Sequence, residues 1–116
     1  MAYLALVVED VVINKWKLDD EIIILGRARD CDIQIDDQSV SSKHARIIVE
    51  QDPFLKNNSL FYIEDLKSTN GTRLNENNVS KQKLSDGDWL GIGFTRFQFV
   101  NNNSTNLDET AVILSE

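Results

Sequence analysis

The sequence predicts an all-β protein that folds as two stacked sheets. Apolar and polar residues alternate with a period of two in short runs such as AYLALVV, EIIIL and ARIIVE, which are rich in β-branched and aromatic side chains. Turn-forming pairs such as Asn70-Gly71 and Asp86-Gly87 separate these runs. No segment carries apolar residues at helical spacing over three turns. Many short strands joined by regular turns are typical of a sandwich or a barrel.

Two of the runs favour strands that lie inside a two-sheet stack. In ARIIVE, alternation places Ala45, Ile47 and Val49 on one face, and in LFYIEDL it places Phe61 and Ile63 on one face. The opposite faces of both runs also carry apolar residues, which suits strands of a sandwich.

Composition limits the classes of function. The chain has 116 residues with 41% apolar residues and a net charge of −7, so we expect one globular domain that binds neither nucleic acid nor an anionic membrane as its main partner. No apolar run reaches membrane-spanning length, and no signal peptide is expected. A single cysteine, Cys31, excludes an internal disulfide and favours the cytoplasm. One cysteine and one histidine do not make a Cys/His zinc site, so neither a metal nor another cofactor is expected.

The chain is predicted to divide near residue 100. Residues 1–100 form the domain, and the last strand ends near Val100. Residues 101–116 follow as a flexible linker, NNNSTN, and a C-terminal tail, LDETAVILSE, that contains a short apolar run.

Three loop stretches carry the side chains suited to binding an anion. They are Gly26-Arg27 after the run EIIIL, residues 39–45 (SVSSKHA) and residues 67–72 (KSTNGT). Together they offer a guanidinium fork, several hydroxyls, an ammonium and an amide. Each stretch follows a predicted strand and precedes another, so we expect all three to meet at one end of the sandwich.

These stretches resemble the forkhead-associated (FHA) domain family. The family pattern is Gly-Arg, then Ser-x-x-His, then Ser-Thr-Asn-Gly-Thr, then Leu-x-x-Gly-Asp. The sequence supplies these in order as Gly26-Arg27, Ser41-Ser42-Lys43-His44, Ser68-Thr69-Asn70-Gly71-Thr72 and Leu84-Ser85-Asp86-Gly87-Asp88. The resemblance covers roughly residues 3–100. It implies a β-sandwich of about eleven strands that acts as an adaptor in signalling and binds phosphothreonine peptides through loops at one end.

The resemblance also implies a role for each matched residue. Arg27 would pair with the phosphate, Ser41 would donate a hydroxyl hydrogen bond to it, and Thr69, with Ser68 nearby, would add a further contact. Asn70 would hold the backbone of the bound peptide. The partner is then a phosphothreonine-containing protein, with a Ser/Thr kinase acting upstream.

Other matched positions are framework positions or departures. Gly26, His44 and Gly71 would support the loops, with Gly71 permitting a tight turn. Ser42 stands where many members carry an arginine or lysine that reaches the phosphate. It is counted with the phosphate-binding residues, whereas Lys43 is displaced by one position and expected to point away.

Two other readings of these residues stay open. Ser41 and His44 are the residue types of a nucleophile and a base, although no strained Gly-x-Ser-x-Gly turn and no phosphate-binding P-loop accompany them. Alternatively, the chain is a structural FHA-like domain that contacts proteins without phosphate dependence.

The tail contains a candidate phosphorylation site, Thr110, which follows Asp108 and Glu109. The hypothesis is that phosphorylated Thr110 occupies the site formed by Arg27, Ser41 and Asn70, either within one chain or between two chains. The competing interpretation is that Ala111 to Leu114 pair with a sheet edge or with a neighbouring chain.

Overall fold

The computed structural model describes residues 2–102, which form eleven strands. In chain order they are β1 (Ala2–Val8), β2 (Val11–Lys17), β3 (Ile22–Gly26), β4 (Ile33–Gln34), β5 (Ala45–Gln51), β6 (Ser59–Asp65), β7 (Thr72–Leu74), β8 (Asn77–Val79), β9 (Lys81–Lys83), β10 (Trp89–Ile92) and β11 (Thr95–Asn101). The predicted all-β class is confirmed. This part of the chain contains no helix that is long and apolar enough to cross a membrane.

The strands form two sheets, as the sequence predicts. The six-stranded sheet has the order β2-β1-β11-β10-β7-β8, and the five-stranded sheet has the order β4-β3-β5-β6-β9. Neighbouring strands are antiparallel except β3 and β4, which pair in parallel through Leu25–Ile33 and Gly26–Gln34. The strand β2 therefore lies at the edge of the larger sheet, with one side of its backbone unpaired to any described strand.

The core lies between the two sheets and follows the predicted alternation. Ala45 and Ile47 of β5 and Ile63 of β6 are completely buried, as is Phe99 of β11. Across the interface, the ring centroids of Phe61 and Phe99 lie 5.1 Å apart, so an aromatic residue of one sheet packs directly on an aromatic residue of the other. Burial of this one face per strand is what holds the sheets together.

Strand register brings several loops to one end of the sandwich. Leu25 near the end of β3 lies opposite Ala45 at the start of β5, which lies opposite Asp65 at the end of β6. The loops after β3, before β5 and after β6 therefore meet. At the other end, Ala2 of β1 pairs with Asn101 of β11.

The last strand, β11, ends at Asn101, one residue beyond the predicted limit. The linker and tail predicted for residues 101–116 lie outside the described residues from position 103 onward, as does Thr110. The division of the chain at residue 100 thus stays a prediction.

We expect Phe99→Ala to lower the free energy of unfolding by about 3–5 kcal/mol, because it removes a completely buried ring and leaves a cavity between the sheets. Urea unfolding measures this change. The matched control is Phe54→Ala: Phe54 is 90% exposed, so its removal should change stability by less than about 0.5 kcal/mol. Equal losses in the two variants would contradict the assigned core.

Candidate functional site

The loop after β3 is held against the loop before β5 by backbone hydrogen bonds. The N–H of Arg27 donates to the carbonyl of Ser41 at 3.0 Å, and the N–H of Ala28 donates to the carbonyl of Ser42 at 3.1 Å. Gly26 makes this approach possible, since a Cβ added at Gly26 would lie 2.1 Å from the Ser42 carbonyl oxygen. The predicted framework role of Gly26 thus has a steric cause.

The side chain of Arg27 is exposed. Within residues 2–102 its guanidinium has no hydrogen-bond or ion-pair partner. The backbone of Arg27 is fixed by its neighbours while the charged group extends into solvent. An arginine in this state keeps all its donors available for a ligand.

His44 joins two of the loops from inside the protein. It is completely buried. Its Nδ1 lies 3.0 Å from the N–H of Ser41, and its Nε2 lies 2.8 Å from the carbonyl oxygen of Gly71. Because a backbone N–H can only donate, Nδ1 is the acceptor and Nε2 carries the hydrogen that Gly71 accepts. The loop before β5 and the loop after β6 are therefore fixed relative to each other through one imidazole.

This geometry also tests the interpretation of Ser41 and His44 as a nucleophile and its base. Both ring nitrogens of His44 are engaged with backbone groups. The hydroxyl of Ser41 accepts a hydrogen bond from the N–H of Thr69 at 3.0 Å rather than contacting the ring. The pair is not arranged as a nucleophile and its base, which requires a direct hydrogen bond between the two side chains.

Ser41, Thr69 and Asn70 lie together at the surface of the joined loops. The hydroxyl oxygen of Ser41 accepts the Thr69 N–H, and its hydroxyl hydrogen makes no hydrogen bond to the described residues. Thr69 and Asn70 are exposed. The side-chain amide of Asn70 donates to the carbonyl of Ser39 at 2.8 Å, which orients the side chain while leaving its oxygen and second N–H for another molecule.

Ser68 is used inside its own loop. Its hydroxyl donates to Oδ1 of Asp65 at 2.6 Å and accepts the N–H of Gly71 at 2.9 Å. Gly71 has a φ of +83°, as predicted for the tight turn. Since the one hydroxyl hydrogen of Ser68 goes to Asp65, the residue shapes the loop, and no phosphate contact through that hydrogen is available in this arrangement.

Ser42 and Lys43 are both exposed, and Lys43 is directed toward another loop. Its ammonium lies 2.9 Å from a carboxylate oxygen of Asp30. Asp30 lies in the loop after β3, three residues beyond Arg27, so the ion pair links the same two loops that the backbone hydrogen bonds of Arg27 and Ala28 join. The exposed side chain of Ser42 adds no charge there.

Two acidic residues that the sequence analysis did not single out hold the loops in place. Asp65 accepts hydrogen bonds from Ser68 and from the buried hydroxyl of Thr72. Burial opposes ionisation of Asp65, but the hydrogen bonds from Ser68 and Thr72 outweigh it and lower the pKa.

Asp37 ties the loop before β5 to the turn between β10 and β11. One of its oxygens accepts from the N–H and hydroxyl of Ser39, and the other accepts from the N–H of Phe94 at 2.8 Å and the hydroxyl of Thr95 at 3.0 Å. The side-chain hydrogen bond from Ser39 is the main cause that lowers the pKa of Asp37 to about 2. Asp37 thereby positions Ser39, whose carbonyl orients Asn70.

Comparison with known proteins agrees with this architecture. The family model described as "FHA domain" matches residues 23–93. An oxoglutarate dehydrogenase inhibitor from Corynebacterium jeikeium is 34% identical over 90 residues, which are 78% of this chain and 58% of that protein. The chain therefore matches little more than half the length of that relative.

Two solved structures share the fold. An FHA domain studied for its phosphothreonine-dependent interactions has a TM-score of 0.74 and 26% identity, covering 89% of this chain and 98% of that one. EmbR from Mycobacterium tuberculosis, in complex with a low-affinity phosphopeptide, has a TM-score of 0.74 and 30% identity, covering 90% of this chain and 25% of that one. The chain belongs to the FHA domain family.

We predict that Asp37→Asn reduces the acid sensitivity of the fold. Asp37 has a pKa of about 2 in the folded protein and an ordinary value of 3.8, so its stabilising effect is complete above pH 4 and is lost as the pH falls toward 2. Urea unfolding of the wild type should therefore show a steeper fall in stability between pH 4 and pH 2.5 than unfolding of Asp37→Asn. Parallel profiles for the two proteins would contradict this role.

Proposed function

We propose that this domain binds phosphothreonine peptides at the surface formed by Arg27, Ser41, Thr69 and Asn70. The observation that carries the proposal is the exposed guanidinium of Arg27, which has no partner within residues 2–102, on a loop whose backbone is hydrogen-bonded to Ser41. A phosphothreonine carries about −1.5 to −2 charges at pH 7 and three strong acceptor oxygens. Arg27 would supply the charge and a fork of donors, and Ser41 would supply a hydroxyl hydrogen bond.

The neighbouring residues fit the peptide that carries the phosphate. Thr69 is exposed beside Ser41 and would contact the phosphate through its hydroxyl. The oxygen and second N–H of Asn70 have no partner in the described part of the chain, and they match the N–H and carbonyl groups of a peptide backbone. Ser42 would lie at the rim, and Ser68 would act through the shape of the loop. Because the loops are joined by His44 and by backbone hydrogen bonds, they lose little conformational entropy when a peptide binds.

The proposal includes the setting of the domain. It acts by binding rather than by catalysis, in line with the inhibitor to which it is similar. A Ser/Thr kinase supplies the phosphorylated partner, and the cytoplasm is the expected location. Since the net charge is −7, the site selects a single phosphate in a peptide over a long polyanion.

A structural FHA domain without phosphate dependence is the competing function. The features that favour phosphate binding are the free hydroxyl hydrogen of Ser41 and the unpaired charge of Arg27, since neither contributes a hydrogen bond to the fold of the described residues.

We expect Arg27→Ala to weaken phosphothreonine-peptide binding at least about tenfold, corresponding to about 1.4 kcal/mol, because it removes the basic side chain placed on the phosphate. Isothermal titration with a peptide enriched from a phosphothreonine library measures the loss. Arg29→Ala is the matched control: Arg29 is also exposed and lies two residues along the same loop, and its removal should leave the affinity unchanged. Unchanged affinity in a folded Arg27→Ala protein would remove Arg27 from the site.

Ser42→Arg should tighten the same interaction and steepen its dependence on salt. The substitution adds a positive charge to an exposed position in the loop that carries Ser41, and attraction between exposed charges is screened by salt. Titrations at low and high ionic strength test both effects. An affinity and a salt dependence equal to those of the wild type would show that position 42 faces away from the phosphate.

A further inference from the structure

A groove separate from the phosphate-binding surface opens at the same end of the sandwich. Its volume is about 780 Å³, and its lining comes from the β1–β2 hairpin, the residues after β4 and the start of β11. The residues that matter for the argument are Val8, Glu9, Ile13, Asp36 and Phe94. The proposed phosphate contacts Arg27, Ser41 and Asn70 are not part of its lining.

Three apolar side chains that line the groove are open to solvent. Val8 is 48% exposed, Ile13 is 58% exposed and Phe94 is 91% exposed. Val11 and Val12 extend the same exposed strand β2 beyond the groove. Exposed apolar side chains gathered at one groove favour an interaction site, because covering them would gain the free energy of burial.

The rim of the groove is acidic. Glu9 and Asp10 form the turn between β1 and β2, with φ values of +51° and +65°, and Asp36 stands on the facing loop. Arg96 also lines the groove, but its guanidinium stacks over the ring of Trp89 at 4.5 Å. Exposed apolar side chains beside this negative rim complement an apolar segment that carries a positive charge.

We propose that the groove binds an apolar peptide segment containing lysine or arginine, and that this segment flanks the phosphothreonine in the same partner. The proposal rests on the proposed function for its second half. Charge decides among the occupants: the chain's own tail, residues 103–116, contains Asp108, Glu109 and Glu116 and no basic residue, and a second copy of the chain carries a net charge of −7. Both would be repelled by the acidic rim, whereas a basic segment is attracted.

Two sets of hydrogen bonds connect the groove to the neighbouring phosphate-binding loops. Gln34, which lines the groove, donates from its side chain to the carbonyl of Arg27 at 3.3 Å. On the other side, Asp37 holds both Phe94 and Ser39. A partner attached at the phosphate is therefore presented to the groove at high effective concentration, so a weak second contact adds to affinity.

The test uses two peptide libraries that differ only in carrying phosphothreonine or threonine at the centre. Each has random flanks of about eight residues, which extend about 26 Å and so reach well beyond the residues next to the threonine. The wild-type protein should enrich, in one flank of the phosphorylated library, an aliphatic or aromatic residue close to lysine or arginine. The enriched peptide should bind about tenfold more tightly than the same peptide shortened to the residues around the phosphothreonine.

Matched variants separate the groove from general surface hydrophobicity. Ile13→Ser with Phe94→Ser should abolish the flank preference and the tenfold advantage, with binding of the shortened peptide unchanged. The control pair is Leu55→Ser with Phe54→Ser, which have 60% and 90% exposure and lie in the β5–β6 turn at the opposite end of the sandwich. This pair should behave as the wild type. Asp36→Asn with Glu9→Gln should remove the preference for lysine or arginine while the apolar preference stays.

The outcomes distinguish this proposal from the proposed function. Phosphate-dependent enrichment without any flank preference, or a flank preference that survives Ile13→Ser with Phe94→Ser, would overturn the groove alone. Enrichment of apolar and basic segments by the wild type but not the groove variant, with equal strength in both libraries, would support the groove while removing the phosphate site. No enrichment in either library would overturn the groove proposal. So would a flank preference that appears only after residues 103–116 are deleted, or a wild-type dimer that Phe94→Ser makes monomeric, because the tail or a second copy would then be the occupant.

Discussion

One buried imidazole holds the binding end of this domain together. His44 accepts a hydrogen bond from the backbone of Ser41 and donates one to the backbone of Gly71, so the distance between two loops is set by the width of a ring. Both backbone groups are therefore hydrogen-bonded in the interior, where an unpaired polar group costs about 1–3 kcal/mol. The main chain of His44 adds two more links, to Leu25 and to Leu66. His44 thus fixes the positions of all three loops relative to one another.

The polar groups at this end divide into two sets. One set stabilises the fold through short hydrogen bonds to backbone and hydroxyl groups, and it belongs to His44, Asp37, Asp65 and Ser68. The side chain of Arg27 makes no such bond within residues 2–102. A rigid frame that leaves a few donors unsatisfied at its surface is pre-organised for an acceptor-rich ligand. The separation of supporting from contacting groups also explains why the family motif includes buried residues.

Much of the fold was predictable because it depends on local pattern. Alternation identified the buried faces of β5 and β6, and the turn at Asn70-Gly71 was visible in the letters. The ordered motifs located the three loops, and the family is confirmed. The local half of the Asp37 contact was also readable, since an aspartate two residues before Ser39 is a common turn pattern.

What could not be predicted depends on contacts between distant parts of the chain. Asp37 reaches Phe94 and Thr95, which are 57 and 58 residues away in sequence, and no spacing rule links them. The same holds for Ser68, whose hydroxyl looks available in the sequence but is turned toward Asp65. Judged by residue type alone, the apolar residues of β2 resemble core residues. Their exposure follows from the position of β2 at the edge of the sheet, which only the strand order reveals.

The pairing of Ala2 with Asn101 has a mechanical consequence. These residues lie directly opposite each other at the end of the sandwich remote from the loops, on antiparallel strands β1 and β11. Tension applied between positions 2 and 101 acts across the β1–β11 ladder, so its hydrogen bonds break one after another from that end instead of resisting together. The domain would therefore yield to a small pulling force by unzipping, however firmly its core resists urea. Because positions 2 and 101 are adjacent, the domain can be inserted through them into a surface loop of another protein. Such an insertion would neither separate the two sheets nor cover the opposite end.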